Sequence, residues 1–111
     1  MEITDQTQGA VRVLKPRGPL AAPEAEEFKT RAAETASESL GRLLIDASGV
    51  PFVDSRGLEV LVELSEDLSQ SGRALKLCSL NETVREVLEL TDLAGLFEFY
   101  DDVNAGVRSF L

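Results

Sequence analysis

Histidine is missing from this chain. That absence removes Ser-His-Asp and Cys-His catalysis and most transition-metal sites, because imidazole supplies the base or ligand in each. Cysteine occurs once, as Cys78, so no internal disulfide can form. Cys78 closes the run Ala74-Leu75-Lys76-Leu77-Cys78, the pattern of a buried strand rather than of a redox centre. Basic residues are scarce: 11 Lys and Arg stand against 20 Asp and Glu, a formal charge of −9 with a pI near 4.4. Nucleic acid is therefore not expected as a partner, since phosphate binding needs a basic surface. Anionic membrane surfaces are disfavoured for the same reason. Proteins with basic patches suit such a charge better. No apolar run approaches the ~20 residues of a membrane span, so no membrane insertion is expected. The opening Met1-Glu2-Ile3-Thr4-Asp5 is acidic and polar, unlike a secretory signal, and cytoplasmic residence is the expectation. Gly49 and Gly57 are isolated and no Gly-Lys-Ser/Thr follows either, so there is no phosphate-cradling loop. No cofactor and no enzymatic activity are expected.

What remains is an ordinary globular composition, 43% hydrophobic and 28% charged. At 111 residues the chain can bury a core without staples, and residues 1–111 read as one domain. Residues 2–7 and 10–15 alternate roughly between apolar and polar, two strands joined by a turn at Gln8-Gly9. Pro16-Arg17-Gly18-Pro19-Leu20 is expected to break any continuation. From Ala22 to Leu40 an amphipathic helix is predicted, with Pro23 in its first turn. Ala25, Phe28, Ala32, Thr35/Ala36 and Ser39 face inward and Gly41 ends it. Glu24, Glu26 and Glu27 lie at its positive end. Arg42 to Ala47 has the continuous apolar centre of a strand covered on both faces. Leu58, Leu61, Val62, Ser65 and Leu68 recur at helical spacing up to Ser71-Gly72. Ala74–Cys78 is the next strand. A helix over Thr83 to Leu90 turns Val84, Val87, Leu88 and Thr91 inward, capped by Asn81 with Glu82 and Glu86 early in it. Leu96–Tyr100 is a last strand, and Asp102 to Phe110 a closing helix with Val103, Val107 and Phe110 inward. The order β-β-α-β-α-β-α-β-α implies an α/β fold: a mainly parallel mixed sheet with an opening hairpin and helices packed against it.

The chemistry concentrates in Val50-Pro51-Phe52-Val53-Asp54-Ser55-Arg56-Gly57-Leu58. It reads as a short loop after a buried strand, then a polar pair opening a helix. Ser55 falls where a helix offers unpaired N–H groups and the positive end of its dipole. It is either a simple cap or the acceptor of a phosphoryl group, which that position would receive well. Lys15, Lys29 and Lys76 are remote in sequence, so a Ser-Lys catalytic pair is not indicated. Asp46 and Asp54 both belong at the C-terminal edge of the sheet. They either hold Mg²⁺ or share a proton, or more simply bond loop and helix N–H groups. Glu24, Glu26, Glu27, Glu34 and Glu38 read as a solvated helix face, and Asp101-Asp102 as a turn opening the last helix.

Leu43-Leu44-Ile45-Asp46-Ala47-Ser48-Gly49 followed by the Asp54-Ser55-Arg56-Gly57-Leu58 segment, in this element order, resembles the STAS domain. That domain is shared by bacterial anti-sigma factor antagonists and sulphate-transporter tails. The likeness covers nearly the whole chain: Gly18-Pro19-Leu20 resembles the family's Gly-x-Leu, and Leu96-Phe97-Glu98-Phe99-Tyr100-Asp101 its last strand. The resemblance implies that Ser55 is the serine phosphorylated by a cognate anti-sigma factor/serine-protein kinase. Asp54 matches the acidic residue before it, and Asp46 the loop-supporting aspartate of the preceding strand. Phe52, Val53, Asp54, Arg56, Gly57 and Leu58 would then meet the partner. A phosphatase that resets Ser55 belongs to the same scheme. The alternative within the family is an unphosphorylated scaffold subunit of a transport or sensory complex.

Two positions depart from the family pattern. Ala21 stands after Gly-x-Leu, where phosphorylated antagonists often carry an acid. Arg56 follows the serine, where a small residue is common. Its guanidinium is expected to reach a partner carboxylate, a phosphoryl group on Ser55, or solvent.

Overall fold

The computed structural model describes residues 1–111. Five strands and four helices form: β1 (Glu2–Gln8), β2 (Val11–Arg17), α1 (Glu24–Glu38), β3 (Leu43–Asp46), α2 (Ser55–Ser69), β4 (Leu75–Cys78), α3 (Glu82–Leu90), β5 (Phe97–Tyr100) and α4 (Val103–Arg108). The strands lie side by side in chain order, β1-β2-β3-β4-β5. β1 pairs antiparallel with β2, and every later pair is parallel. The expected mixed, mainly parallel sheet is what the chain adopts.

Alternation along the strands sorts the core into two layers. In β3, Leu43 and Ile45 join the large cluster formed with Phe28 of α1, Leu61 and Leu64 of α2 and Leu88 of α3. Leu44, between them, points the other way and joins Val11, Val13 and Cys78 under Val103, Val107 and Phe110. Three helices therefore cover one face and α4 covers part of the other. Gly106 makes that second contact close: a Cβ there would stand 2.7 Å from Leu44 Cδ1 and Cδ2. Burial pushes the Cys78 thiol up to about 11, with the Asp46 carboxylate adding to the shift. At neutral pH it stays protonated and inert, as a strand cysteine should.

Several local expectations need correction. The hairpin turns at Gly9 and Ala10, one residue later than expected, with Gln8 paired to Val11. β2 does not stop before Pro16 but runs to Arg17. Arg12 N–H donates to Arg42 on the β3 side, so the imide nitrogen of Pro16 also faces that side, beyond the β2–β3 pairing that ends at Leu14. No ladder bond is lost there, and the proline is tolerated. In α2 the stripe against the sheet is Gly57, Val60, Leu61, Leu64, Ser65 and Leu68, while Leu58 and Val62 sit half-buried on its flank. Thr91 is the exposed cap of α3, not an inward residue; its hydroxyl donates to the Val87 carbonyl at 2.7 Å. Leu96 belongs to a 3₁₀ turn, Ala94–Leu96, that precedes β5. At the end of α1 it is Leu40, before Gly41, that first turns left-handed, at φ 56°.

Phe28 is fully buried at the centre of the α1–sheet contact. Phe28→Ala is expected to cost about 3–5 kcal/mol, with the urea m-value unchanged. Equilibrium urea unfolding measures it.

Candidate functional site

Parallel strands bring their C-terminal ends to one edge, and three loops meet there. The loop after β3, residues 47–54, is the middle one. Main-chain bonds tie it to the loop after β2: Gly18 N–H donates to Gly49 O at 2.9 Å, Leu20 N–H to Phe52 O at 3.1 Å, and Asp54 N–H to Leu20 O at 3.1 Å. On its other side the Asn81 amide donates to the carbonyls of Val50 and Pro51, at 3.1 and 3.2 Å. Asn81 also caps α3, accepting from Val84 N–H at 2.8 Å. Asp46 holds the loop from beneath, its Oδ1 accepting from Ser48 N–H at 3.0 Å. The expected loop-supporting role of Asp46 has a geometric basis in that bond.

Asp54 is the cap of α2. Oδ1 accepts from Gly57 N–H at 2.8 Å, and Oδ2 reaches the neighbouring loop to accept from Ala22 N–H at 3.0 Å. The N–H donors of Gly57 and Ala22 hold its carboxyl below the ordinary aspartate value. Because Asp54 does the capping, Ser55 need not. It is the first residue of α2 and it is exposed.

Two residues expected at a partner surface face inward instead. Val53 is 8% exposed and packs in the main cluster beside Leu20. Gly57 is buried because α2 starts hard against the Leu20–Val53 bridge: a Cβ at Gly57 would lie 2.0 Å from Leu20 O and 2.7 Å from Val53 Cγ1. Both shape the corner from below. Leu58 is half-buried at its flank, while Phe52, 48% exposed, and Ser55 stand out from it. A groove of about 340 Å³ runs beside Phe52, lined by Met1, Arg17, Pro19, Ala21 and Glu24.

Arg56 turns neither to solvent nor to Ser55. Its guanidinium forms a fork to Glu26 of α1, with Nη2 to Oε1 at 2.9 Å, and reaches Glu63 Oε1 at 2.9 Å and Glu59 Oε2 at 3.4 Å. Lys29 completes the cluster by pairing with Glu63. Glu26 is held below its usual carboxylate value by Arg56, and Glu63 by Lys29 first and Arg56 second. Glu26 is thus bound across a helix interface rather than part of a purely solvated face. Helical spacing from Arg56 to Glu59 and Glu63 was a usable signal for half of this cluster. Glu26 and Lys29, on another helix, gave none. No group of three or more carboxylate or cysteine side chains is placed to hold a metal ion.

Asp54→Ala is expected to lower the melting temperature by a few degrees at neutral pH. The sign of its pH dependence follows from a folded-state value below the unfolded one. The stabilisation is present above the ordinary aspartate range, ~4, and is lost as pH falls through the lower folded value. The gap between wild type and variant should therefore close on acidification, which thermal scans from neutral pH down to the acid limb would show.

The STAS domain profile matches residues 2–106. A protein of Bordetella bronchiseptica named "Putative anti-sigma factor antagonist BtrV" is 26% identical over 94 residues, 85% of this chain and 81% of that protein. The crystal structure of a Thermotoga maritima protein described as "a putative anti-sigma factor antagonist", 27% identical, superposes with a TM-score of 0.88 over 96% of this chain and 92% of its own. The unphosphorylated form of the anti-sigma factor antagonist SpoIIAA shares the fold at 16% identity, with a TM-score of 0.76 over 98% of this chain and 96% of its own. No helix is long and apolar enough to cross a membrane. With its strand order, loop corner and matched length taken together, this chain belongs to the STAS domain family.

Proposed function

We propose that the chain is an anti-sigma factor antagonist that works by exchanging partners under the control of Ser55. Unmodified, the corner built by Pro51, Phe52, Asp54 and Ser55 docks on an anti-sigma factor with serine-kinase activity and releases its client. Phosphorylation of Ser55 ends the complex, and a phosphatase restores it. The observation that carries this reading is the division of labour at the start of α2. Asp54 satisfies the helix, so the exposed Ser55 hydroxyl is left over at the centre of a surface with no structural duty. The relatives named as antagonists support the same reading. So does SpoIIAA, whose structure is that of an unphosphorylated form.

Magnitudes favour loss of binding over loss of fold. A phosphoryl group adds roughly −1.5 to −2 charges and three acceptor oxygens. The Gly57 N–H that would have received it already holds Asp54. Arg56 is committed to Glu26 and Glu63 and, as the next residue along a helix, faces about a quarter-turn away. The phosphoryl group therefore stays at the surface beside a carboxylate, solvated and tolerable while the protein is free. In a complex that excludes water the same charge costs several kcal/mol. Glu24, which lines the groove beside Phe52 and takes part in no ion pair, favours a partner surface carrying Lys or Arg there.

Incubation with ATP and the kinase is expected to add one phosphoryl group to the wild-type chain and none to Ser55→Ala, read by intact mass. Ser55→Asp should bind the kinase on the order of 100-fold more weakly, measured by calorimetry. A mass gain that persists in Ser55→Ala defeats the site assignment. Equal affinity of Ser55→Asp and wild type defeats the electrostatic mechanism.

A further inference from the structure

The seam between α1 and α2 changes character halfway along. At the Ser55 end, long charged side chains bridge it: Arg56 to Glu26 and Glu63, and Lys29 to Glu63. Farther along, α1 presents only Ala33, Ala36 and Ser37, and the seam opens into a groove of about 440 Å³. Leu64 and Leu68 floor it, and Leu40 lines its far end.

Two features of this groove run against what stability alone would select. Leu40 is 73% exposed and sits at φ 56°. Gly41 N–H donates to Ala36 O at 2.8 Å, so Leu40 occupies the left-handed position after the helix cap that glycine normally fills. A leucine held there carries the left-handed penalty and, being exposed, gains no burial to offset it. Asp67 also lines the groove and takes part in no ion pair, although Glu63, one turn earlier on α2, is paired twice. Neither α1 nor α2 has a basic residue in its own last turn to meet the negative end of its dipole. Arg73 lies against Gly41, and it forms no ion pair with Asp67.

We propose that this groove is a second docking site, for an amphipathic segment of a partner protein. The segment sets an apolar side chain against Leu40, Leu64 and Leu68, and a lysine or arginine one turn away pairs with Asp67. The cation that Asp67 lacks is supplied from outside. Both helices begin at the Ser55 corner and end at the groove, so the two surfaces lie at opposite ends of the same helix pair. One partner can stay bound here while the Ser55 corner exchanges another, and the site stands whether or not Ser55 is phosphorylated.

The probe is a short helical peptide with a leucine stripe flanked by lysine, followed by amide chemical shifts of the ¹⁵N-labelled full chain. Shifts are expected at residues 33–41 and 64–71, unchanged in Ser55→Asp, and absent with a peptide of the same composition scrambled to lose the stripe. Leu40→Gly should hold or raise the melting temperature while weakening the peptide about tenfold, the loss of one apolar anchor. A merely structural leucine would not separate the two readouts. Asp67→Lys should abolish binding of the lysine peptide and restore it for a glutamate version. Equal binding of the scrambled peptide, shifts centred on Glu24–Glu27, or full affinity in both variants would overturn the proposal. So would a wild-type dimer by sedimentation that dissociates in Leu40→Gly, which would assign the groove to a second copy.

Discussion

The two-handed carboxylate of Asp54 is the contact on which the corner depends. One oxygen fixes where α2 begins and the other pins the loop that leads into α1. Neither bond alone would set the angle between these elements. Together with the Leu20–Val53 bridge they bring α2 so close that only a glycine fits at position 57. The rotation of α2 follows from that contact, and with it the choice of Val60, Leu61, Leu64 and Leu68 as the buried stripe. A single acidic side chain thus links the start of the helix pair to the packing of the main core.

From that start the two helices diverge in purpose along their length. Their first halves are zipped by opposite charges, with Arg56 shared among Glu26, Glu59 and Glu63 and Lys29 paired with Glu63. Exposed pairs of this kind add little stability one by one. As a cluster they hold Arg56 away from Ser55, which leaves the serine without an internal counter-charge. The second halves carry no such zipper, and apolar surface shows between them. One end of the pair is built to be tied and the other is left open.

Much of this was legible in the chain. Alternation in Leu43-Leu44-Ile45 and helical spacing in Ala25, Phe28 and Ala32 are consequences of period, which residues display directly. The caps Asn81 and Asp102 were readable for the same reason: their partners lie three residues on. Asp54 was legible only in part, since its bond to Gly57 is local but its bond to Ala22 spans 32 residues. The inward turn of Val53 and the burial of Gly57 depend on Leu20 arriving from another loop, and no local pattern announces that. Pro16 misled because its cost depends on which neighbouring strand its nitrogen faces. Arg56 misled because Glu26 approaches from a different helix. Sequence patterns carry contacts within a turn or a strand; contacts between elements emerge only once the sheet has placed them.

The loop after β3 is sewn to its neighbours by main-chain atoms, through Gly18 to Gly49, Leu20 to Phe52 and Asp54 to Leu20. None of those bonds cares which side chains occupy positions 51, 52 or 55. Mutational drift at these surface positions can therefore retune which protein is recognised while the scaffold stays intact. Duplicated copies of such a chain could part company in their choice of partner by a few substitutions, each surviving because the fold never depended on the residues that changed.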